Sequence, residues 1–132
     1  MKLYFILIIV LVLLFAINLA IADTTFVSGS YNGDSLWSVS GSPFIIQGNL
    51  TIETTGSLII NSDVVVSGGS FTISGGFYAD NVIFNYGVSF GMLSGAHGSI
   101  TNSQLLGGGY SGFYFGPNAD NIDDFTISGN SI

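Results

Sequence analysis

The chain has 132 residues, which suits a single domain, and 48% of them are hydrophobic whereas only 7% are charged. The formal net charge is −7, Lys2 is the single basic residue, and there is no cysteine. Because affinity for phosphate backbones and for anionic lipid surfaces comes from Lys and Arg, nucleic acid is excluded as a partner and an anionic membrane surface is disfavoured.

Residues 1–22 predict a targeting segment. A positive start at Lys2 precedes an apolar run over residues 3–17, and Ala20-Ile21-Ala22 is a small-x-small site. This layout is typical of a secretory signal peptide cleaved between Ala22 and Asp23. The mature, secreted chain would then contain no Lys or Arg. The alternative is an uncleaved membrane anchor, since an apolar stretch of about 20 residues is just long enough to span a bilayer.

Residues 23–39 are predicted to form an N-terminal cap and a first strand. Trp37 falls in this segment, and we expect it to pack against the core or the cap rather than to stack on a sugar. Asn49-Leu50-Thr51 is an Asn-x-Thr sequon. In an exported protein it makes Asn49, which we expect on the outside, a candidate N-glycosylation site.

Residues 40–132 contain four segments that align without gaps as a 27-residue repeat, and internal periodicity of this length is typical of repeat architectures. Each segment predicts one strand bounded by turns, and further apolar runs between them bring the count to about three short strands per repeat. The aligned segments cover residues 40–48, 67–75, 94–102 and 121–129.

Within the alignment, side chains two positions apart share one face of a strand, so two apolar columns are predicted to point inward. A third column marks the bend after each strand, because glycine and asparagine tolerate a left-handed backbone. If coils stack, the isoleucine column forms a single interior row. The columns are Ile46, Ile73, Ile100 and Ile127; Phe44, Phe71 and Phe125, interrupted by Gly98; and Gly48, Gly75, Asn102 and Gly129.

The fold class predicted from this pattern is all-β: a right-handed parallel β-helix, or solenoid, of about four coils with a 27-residue repeat, preceded by the signal peptide. In such a solenoid, like residues stack from coil to coil. An antiparallel sandwich is the alternative, but it gives no reason for a constant register.

Several segments carry a resemblance to a known family. The relevant stretches are residues 99–103, 112–115 and 125–132, with residues 43–60 similar to the first coils of such proteins. They resemble the repeats of the pectin-lyase-like parallel β-helix superfamily. The resemblance implies the fold but not one activity, since that fold hosts lyases, hydrolases, adhesins and inert surface proteins.

Residues 117–123 are similar to the Asn-Thr-Asp segment of polygalacturonase-type glycoside hydrolases, and Asp120 is the matching carboxylate. Such inverting enzymes pair a general acid with carboxylates that activate water. The chain departs from the family's pattern, because the following Asp-Asp pair, the active-site His and the Arg-x-Lys motif have no counterpart. A hydrolase, or an inactive remnant of one, is therefore the alternative rather than the leading expectation.

One stretch is rich in oxygen ligands of the kind that calcium takes from carboxylates, amides and carbonyls. A solvated loop in which these side chains cap turns is the competing interpretation. Otherwise no cofactor is expected. The candidate calcium ligands are Asn118, Asp120, Asn121, Asp123 and Asp124.

The leading hypothesis for function is a non-enzymatic, secreted or cell-surface protein with a structural or adhesive role, with a polysaccharide or a cell-surface molecule as its possible partner. A glycan-binding module is a second alternative and should depend on Tyr110, Tyr114 or Trp37. The single histidine, His97, is expected to be an exposed turn residue. Self-association through an open C-terminal coil is a further expectation, because unpaired strand edges invite pairing.

Overall fold

The structure is a computed structural model that describes residues 23–85, 87–106 and 124–131, together with the backbone of residues 113–115. Nearly all of the regular structure is extended, apart from a short 3-10 turn at Val39–Gly41. The strands are β1 (Thr25–Tyr31), β2 (Asp34–Trp37), β3 (Phe44–Ile52), β4 (Ser57–Ile60), β5 (Val65–Ser67), β6 (Ser70–Ile73), β7 (Gly76–Asp80), β8 (Ile83–Phe84), β9 (Ser89–Met92), β10 (His97–Thr101), β11 (Gln104–Leu105), β12 (Phe113–Phe115) and β13 (Asp124–Ser128).

The strands form three stacks, and every strand pair within them is parallel. The first stack joins the start of β3 to β5, β8 and β11, and the second joins the end of β3 to β6, β9 and β12. The third stack runs β2, β4, β7, β10, β13, and β1 lies beside the whole of β3. The chain thus visits the three stacks in turn and climbs one level per circuit. This confirms the predicted all-β parallel solenoid, which makes about four turns.

Buried and more exposed side chains alternate along several of the short strands that enclose the interior. In β4, Leu58 and Ile60 are buried whereas Ile59 between them is exposed. In β7, Phe77 and Ala79 are buried and flank the exposed Tyr78. Successive side chains of a strand point to opposite faces, so each strand contributes one apolar row to the core and one row to the surface.

Aromatic rings fill the centre of the stack. The ring of Phe71 lies parallel to that of Phe90, with centroids 5.4 Å apart, and meets the ring of Phe77 edge-on at 5.0 Å. At the N-terminal end, Trp37 stacks on Phe44 with centroids 4.3 Å apart. These offset and edge-to-face pairs add to the free energy gained by burying apolar area.

The predicted 27-residue coil is wrong. Phe71 lies beside Leu50 on one side and Phe90 on the other, which are 21 and 19 positions away. Most other described pairs of neighbouring strands have similar offsets, from 18 positions between β5 and β8 to 23 between β2 and β4. Within the described part of the chain, an offset of 27 is found only between β10 and β13 and at the adjoining bridge from Gln104 to Ser131.

The predicted isoleucine row is wrong for the same reason. Ile46 lies in the first stack, Ile73 in the second and Ile100 in the third. All three are buried, as predicted, but only Ile100 and Ile127 are neighbours, and Ile127 is 40% exposed. A typical circuit takes 18 to 23 positions and passes one strand of each stack, so a step of 27 positions covers one circuit and one additional strand. The aligned motif therefore moves from one stack to the next instead of piling on itself.

The bends agree better with the sequence. Gly48, Asn102 and Gly129 have positive φ angles of 87°, 49° and 67°, as the bend column predicts, whereas Gly75, the fourth member of the column, does not have a positive φ. Gly98 interrupts the phenylalanine column for a steric reason: a Cβ atom there would overlap the carbonyl oxygen of Phe77. No side chain fits at that position in β10.

Candidate functional site

The outer face of the third stack carries an exposed apolar row. Leu36 pairs in register with Ile59, and Ile59 with Tyr78, so these three side chains follow one another on adjacent strands. They are 63%, 44% and 40% exposed, respectively. Since neighbouring strands lie about 4.8 Å apart, this apolar row is about 10 Å long. Ser99 continues the line on β10 with a hydroxyl group.

A shallow depression of about 200 Å³ lies beside the apolar row. Ile59 and Tyr78 line it together with the polar residues Asn61, Asp80 and Ser99. Asn61 and Asp80 are exposed, and Ser99 is half-buried. The depression therefore combines an aromatic ring with hydrogen-bonding groups, which is a pairing typical of sites for small polar ligands.

The carboxylates near this face bond to neighbouring coils rather than to each other. The Ser57 hydroxyl donates to Asp34 Oδ1 over 2.7 Å, and Asn81 Nδ2 donates to Asp63 Oδ1 over 3.0 Å. In each case the donor lies one level up the stack. These contacts align adjacent coils at the corners of the solenoid.

Asp80 receives two such bonds on one oxygen. Thr101 Oγ1 donates to Asp80 Oδ1 over 2.7 Å and Asn102 Nδ2 donates to the same atom over 2.8 Å. Hydrogen bonding from the Thr101 hydroxyl, followed by that from the Asn102 amide, lowers the pKa of Asp80. Hydrogen bonds to a carboxylate favour its ionised form. Asp80 is thus held as an anion, whereas a general acid needs a raised pKa.

Asn49, the predicted glycosylation site, is exposed on β3 as expected. Its Oδ1 atom accepts hydrogen bonds from Ser70 and Thr72 of β6, each 2.9 Å long. Its Nδ2 atom donates to Thr51 Oγ1 over 2.9 Å. The amide therefore links two coils, and its glycosylation stays a prediction.

Two further predicted residues have clear positions. Trp37 is only 4% exposed and packs in the core, which confirms core packing and removes it as a surface platform for sugars. His97 is exposed, as predicted, but it begins strand β10 instead of lying in a turn. Its ring meets that of Tyr78 edge-on, with centroids 6.4 Å apart.

Of the candidate calcium ligands, Asp124 is exposed at the start of β13 and pairs in register with His97. Within the described residues, no group of three or more His, Cys, Asp or Glu side chains could hold a metal ion. The same part of the chain contains no helix long and apolar enough to cross a membrane. Tyr114 is described by its backbone alone. The remaining predicted site residues lie outside the described residues: Ala22, Tyr110, Asn118, Asp120, Asn121 and Asp123.

Sequence reasoning did not single out Tyr78 or Ile59. The sequence nevertheless contains an indication of both residues. In Ser57-Leu58-Ile59-Ile60 and in Phe77-Tyr78-Ala79, the inner face of the strand is already apolar, so alternation places the large side chains of Ile59 and Tyr78 on the outer face. An exposed large apolar residue becomes informative when several fall in one row.

No protein-family model, no curated protein and no solved structure matches the chain.

Proposed function

We propose that this protein is a non-enzymatic β-helix protein of the extracellular space or the cell surface, with a structural or adhesive role. We further propose that it belongs to the pectin-lyase-like superfamily, because the segments named in the sequence analysis resemble the repeats of that superfamily. The signal-like N-terminus supports export, and the solenoid supports a rigid, extended surface.

The observation that carries the proposal is how the acids near the exposed face are used. Asp34, Asp63 and Asp80 each accept hydrogen bonds from a hydroxyl or amide group of the next coil. For Asp80 these bonds lower the pKa, which opposes service as a proton donor. Carboxylates bonded in this way hold adjacent coils together, which supports a structural role.

A carbohydrate-active enzyme is the competing function, and Asp120 would be its carboxylate. The two are separated by incubating the purified protein with polygalacturonate and with neutral polysaccharides and then measuring new reducing ends. We expect the native protein to produce no more new reducing ends than a heat-denatured sample of the same protein. Release of sugar above that control would overturn the non-enzymatic proposal, and an Asp120→Asn variant that abolished the release would assign it to that carboxylate.

Export and surface attachment are tested separately by fractionating the cells that make the protein. We expect the chain in the medium or on the cell surface, with Asp23 as the first residue by N-terminal sequencing. Recovery of the whole chain from the cytosol would contradict the proposal. An intact N-terminus in the membrane fraction would instead identify residues 1–22 as an anchor and retain the surface role.

A further inference from the structure

We propose that the outer face of the third stack binds a neutral polysaccharide, with sugar rings lying on Tyr78 and Ile59 and sugar hydroxyls bonding to Asn61 and Asp80. The inference rests on the adhesive role proposed above and names the ligand class of that surface.

An aromatic ring is exposed on this face. Tyr78 is 40% exposed although the side chains on either side of it, Phe77 and Ala79, pack in the core. A tyrosine ring offers an apolar face and a polar tip, which matches the C–H face and the hydroxyl rim of a pyranose. Ile59 and Leu36 extend the apolar surface on the two preceding strands of the stack. A polymer running across the strands would meet an apolar contact at each level.

Polar groups lie beside the ring. Asn61, Ser62, Asp80 and Ser99 line the same depression as Tyr78. The amide both donates and accepts, the two hydroxyls do the same, and the carboxylate accepts. Both internal bonds to Asp80 end on Oδ1, so Oδ2 can accept a hydrogen bond from a sugar hydroxyl. Neutral sugars present only hydroxyl, ether and carbonyl groups, and the donors and acceptors of these four side chains can form hydrogen bonds with such groups.

The shape of the face suits a long ligand. A depression of about 200 Å³ is smaller than the pockets that enclose small molecules, which hold roughly 300–1,000 Å³. It is suited to one ring of a polymer whose remaining units lie along the open apolar row. A long ligand therefore fits this face better than a free monosaccharide.

Charge decides which polysaccharide. Lys2 is the only Lys or Arg of the chain and His97 is its only histidine, so no guanidinium or second ammonium side chain can pair with uronate carboxylates. Asp34, Asp80 and Asp124 lie on or beside this face and would repel an anionic polymer. A second copy of the chain would also be repelled at this face, because the mature chain would carry eight acids and no Lys or Arg. A neutral polysaccharide has no such penalty.

The test uses isothermal titration calorimetry with neutral hexasaccharides built from glucose, mannose or xylose, together with hexamers of galacturonate and of glucosamine. We expect at least one neutral hexamer to bind with a millimolar or tighter dissociation constant that changes little with salt, since neutral ligands are not screened. The uronate hexamer should not bind.

Three variants locate the site. Tyr78→Ala should weaken binding about tenfold or more, whereas Tyr78→Phe should retain it because the ring remains. Phe26→Ala is the matched control, since Phe26 is 60% exposed on β1, away from this face. All variants are compared by circular dichroism and thermal melting, so that lost binding is not confused with lost folding.

Failure of every neutral hexamer to bind would overturn the inference, as would unchanged binding in Tyr78→Ala. Binding confined to the uronate or the glucosamine hexamer would also overturn it, because charge would then be the determinant. None of these results concerns hydrolysis, which is tested separately by measuring new reducing ends after incubation of the protein with the same oligosaccharides. Sugar release would overturn the non-enzymatic role, while absent binding with no release would leave the structural role in place.

Discussion

The substitution Phe71→Ala tests the observed stacking most directly, because Phe71 lies at the centre of the aromatic core. The side chain is 1% exposed and contacts several rings, including Phe77, Phe90 and Trp37. Removing a buried phenylalanine costs about 3–5 kcal/mol. Because lost ring contacts add to the lost apolar area, we expect a value at the upper end, which is a large share of the roughly 5–15 kcal/mol that stabilises a typical domain.

Urea denaturation followed by fluorescence measures this cost, since Trp37 is the only tryptophan and is buried against Phe44. With a slope of about 2 kcal/mol per molar urea, a loss of about 4 kcal/mol lowers the midpoint by roughly 2 M. Phe26→Ala serves as the control, because its ring is 60% exposed and should change stability by less than about 0.5 kcal/mol. A midpoint for Phe71→Ala within about 0.5 M of the wild type would refute the described core.

Three further outcomes are expected. Gly98→Ala should destabilise the fold by about 3 kcal/mol or more in urea denaturation, because φ is +132° and a Cβ would overlap the adjacent strand. The control Gly33→Ala should be nearly neutral, because nothing lies within 4 Å of the added Cβ. Equal effects of the two substitutions would contradict the packing of β10. Asn49→Ala removes three hydrogen bonds that involve its side chain and should lower the free energy of unfolding by about 1–2 kcal/mol, and an unchanged melting curve would count against that link. In Thr101→Val, NMR titration should show the pKa of Asp80 rising toward its ordinary value. Because the wild-type pKa of Asp80 is lower in the folded state, its contribution to stability is complete above the unfolded pKa and is lost as pH falls through the folded pKa. The variant should therefore lose less stability in acid than the wild type, and an unmoved pKa would contradict the assigned cause.

Strand positions and burial could be predicted from the sequence because they depend on local alternation. The runs at residues 50–52, 57–60 and 88–90 fall largely in strands that the structure describes. Ile46, Ile73 and Ile100 are buried as expected. Each of these predictions needs only the two-residue period of a strand and the turn residues beside it.

Coil length could not be predicted in the same way, because it depends on the corners rather than on the strands. Ile73 lies beside Ile52 and Met92, which are 21 and 19 positions away, so the corners absorb insertions that a constant repeat would not allow. The 27-residue alignment matched equivalent strands of different stacks, since all three stacks have the same requirement for a buried apolar pair. The 27-residue spacing is therefore real in the sequence, but it does not correspond to the length of one coil.

The candidate site was less predictable than the core. Tyr78, Asn61 and Asp80 are brought together by strands β4 and β7, which are neighbours only once the circuit length is known. A 27-residue coil would not have placed Tyr78 beside Ile59. The acidic stretch that the sequence offered for calcium drew attention by local composition, whereas the polar and aromatic groups of the described face converge only in three dimensions.

The polar corners have a physical role that the apolar core cannot perform. A strand that slipped by two residues would still present its apolar side chains to the interior, so burial alone specifies the face but not the register. The corner residues Asp63, Asn81 and Asn102 adopt positive φ and bond across coils, and such bonds form at one register only. Because the mature chain would have no Lys or Arg for ion pairs, hydrogen bonds from hydroxyl and amide donors to Asp63, Asp80 and Asn49 align one coil with the next. The positions of Asp63 and Asp80 are therefore explained by their hydrogen bonds to the next coil, which fix the register of the stack.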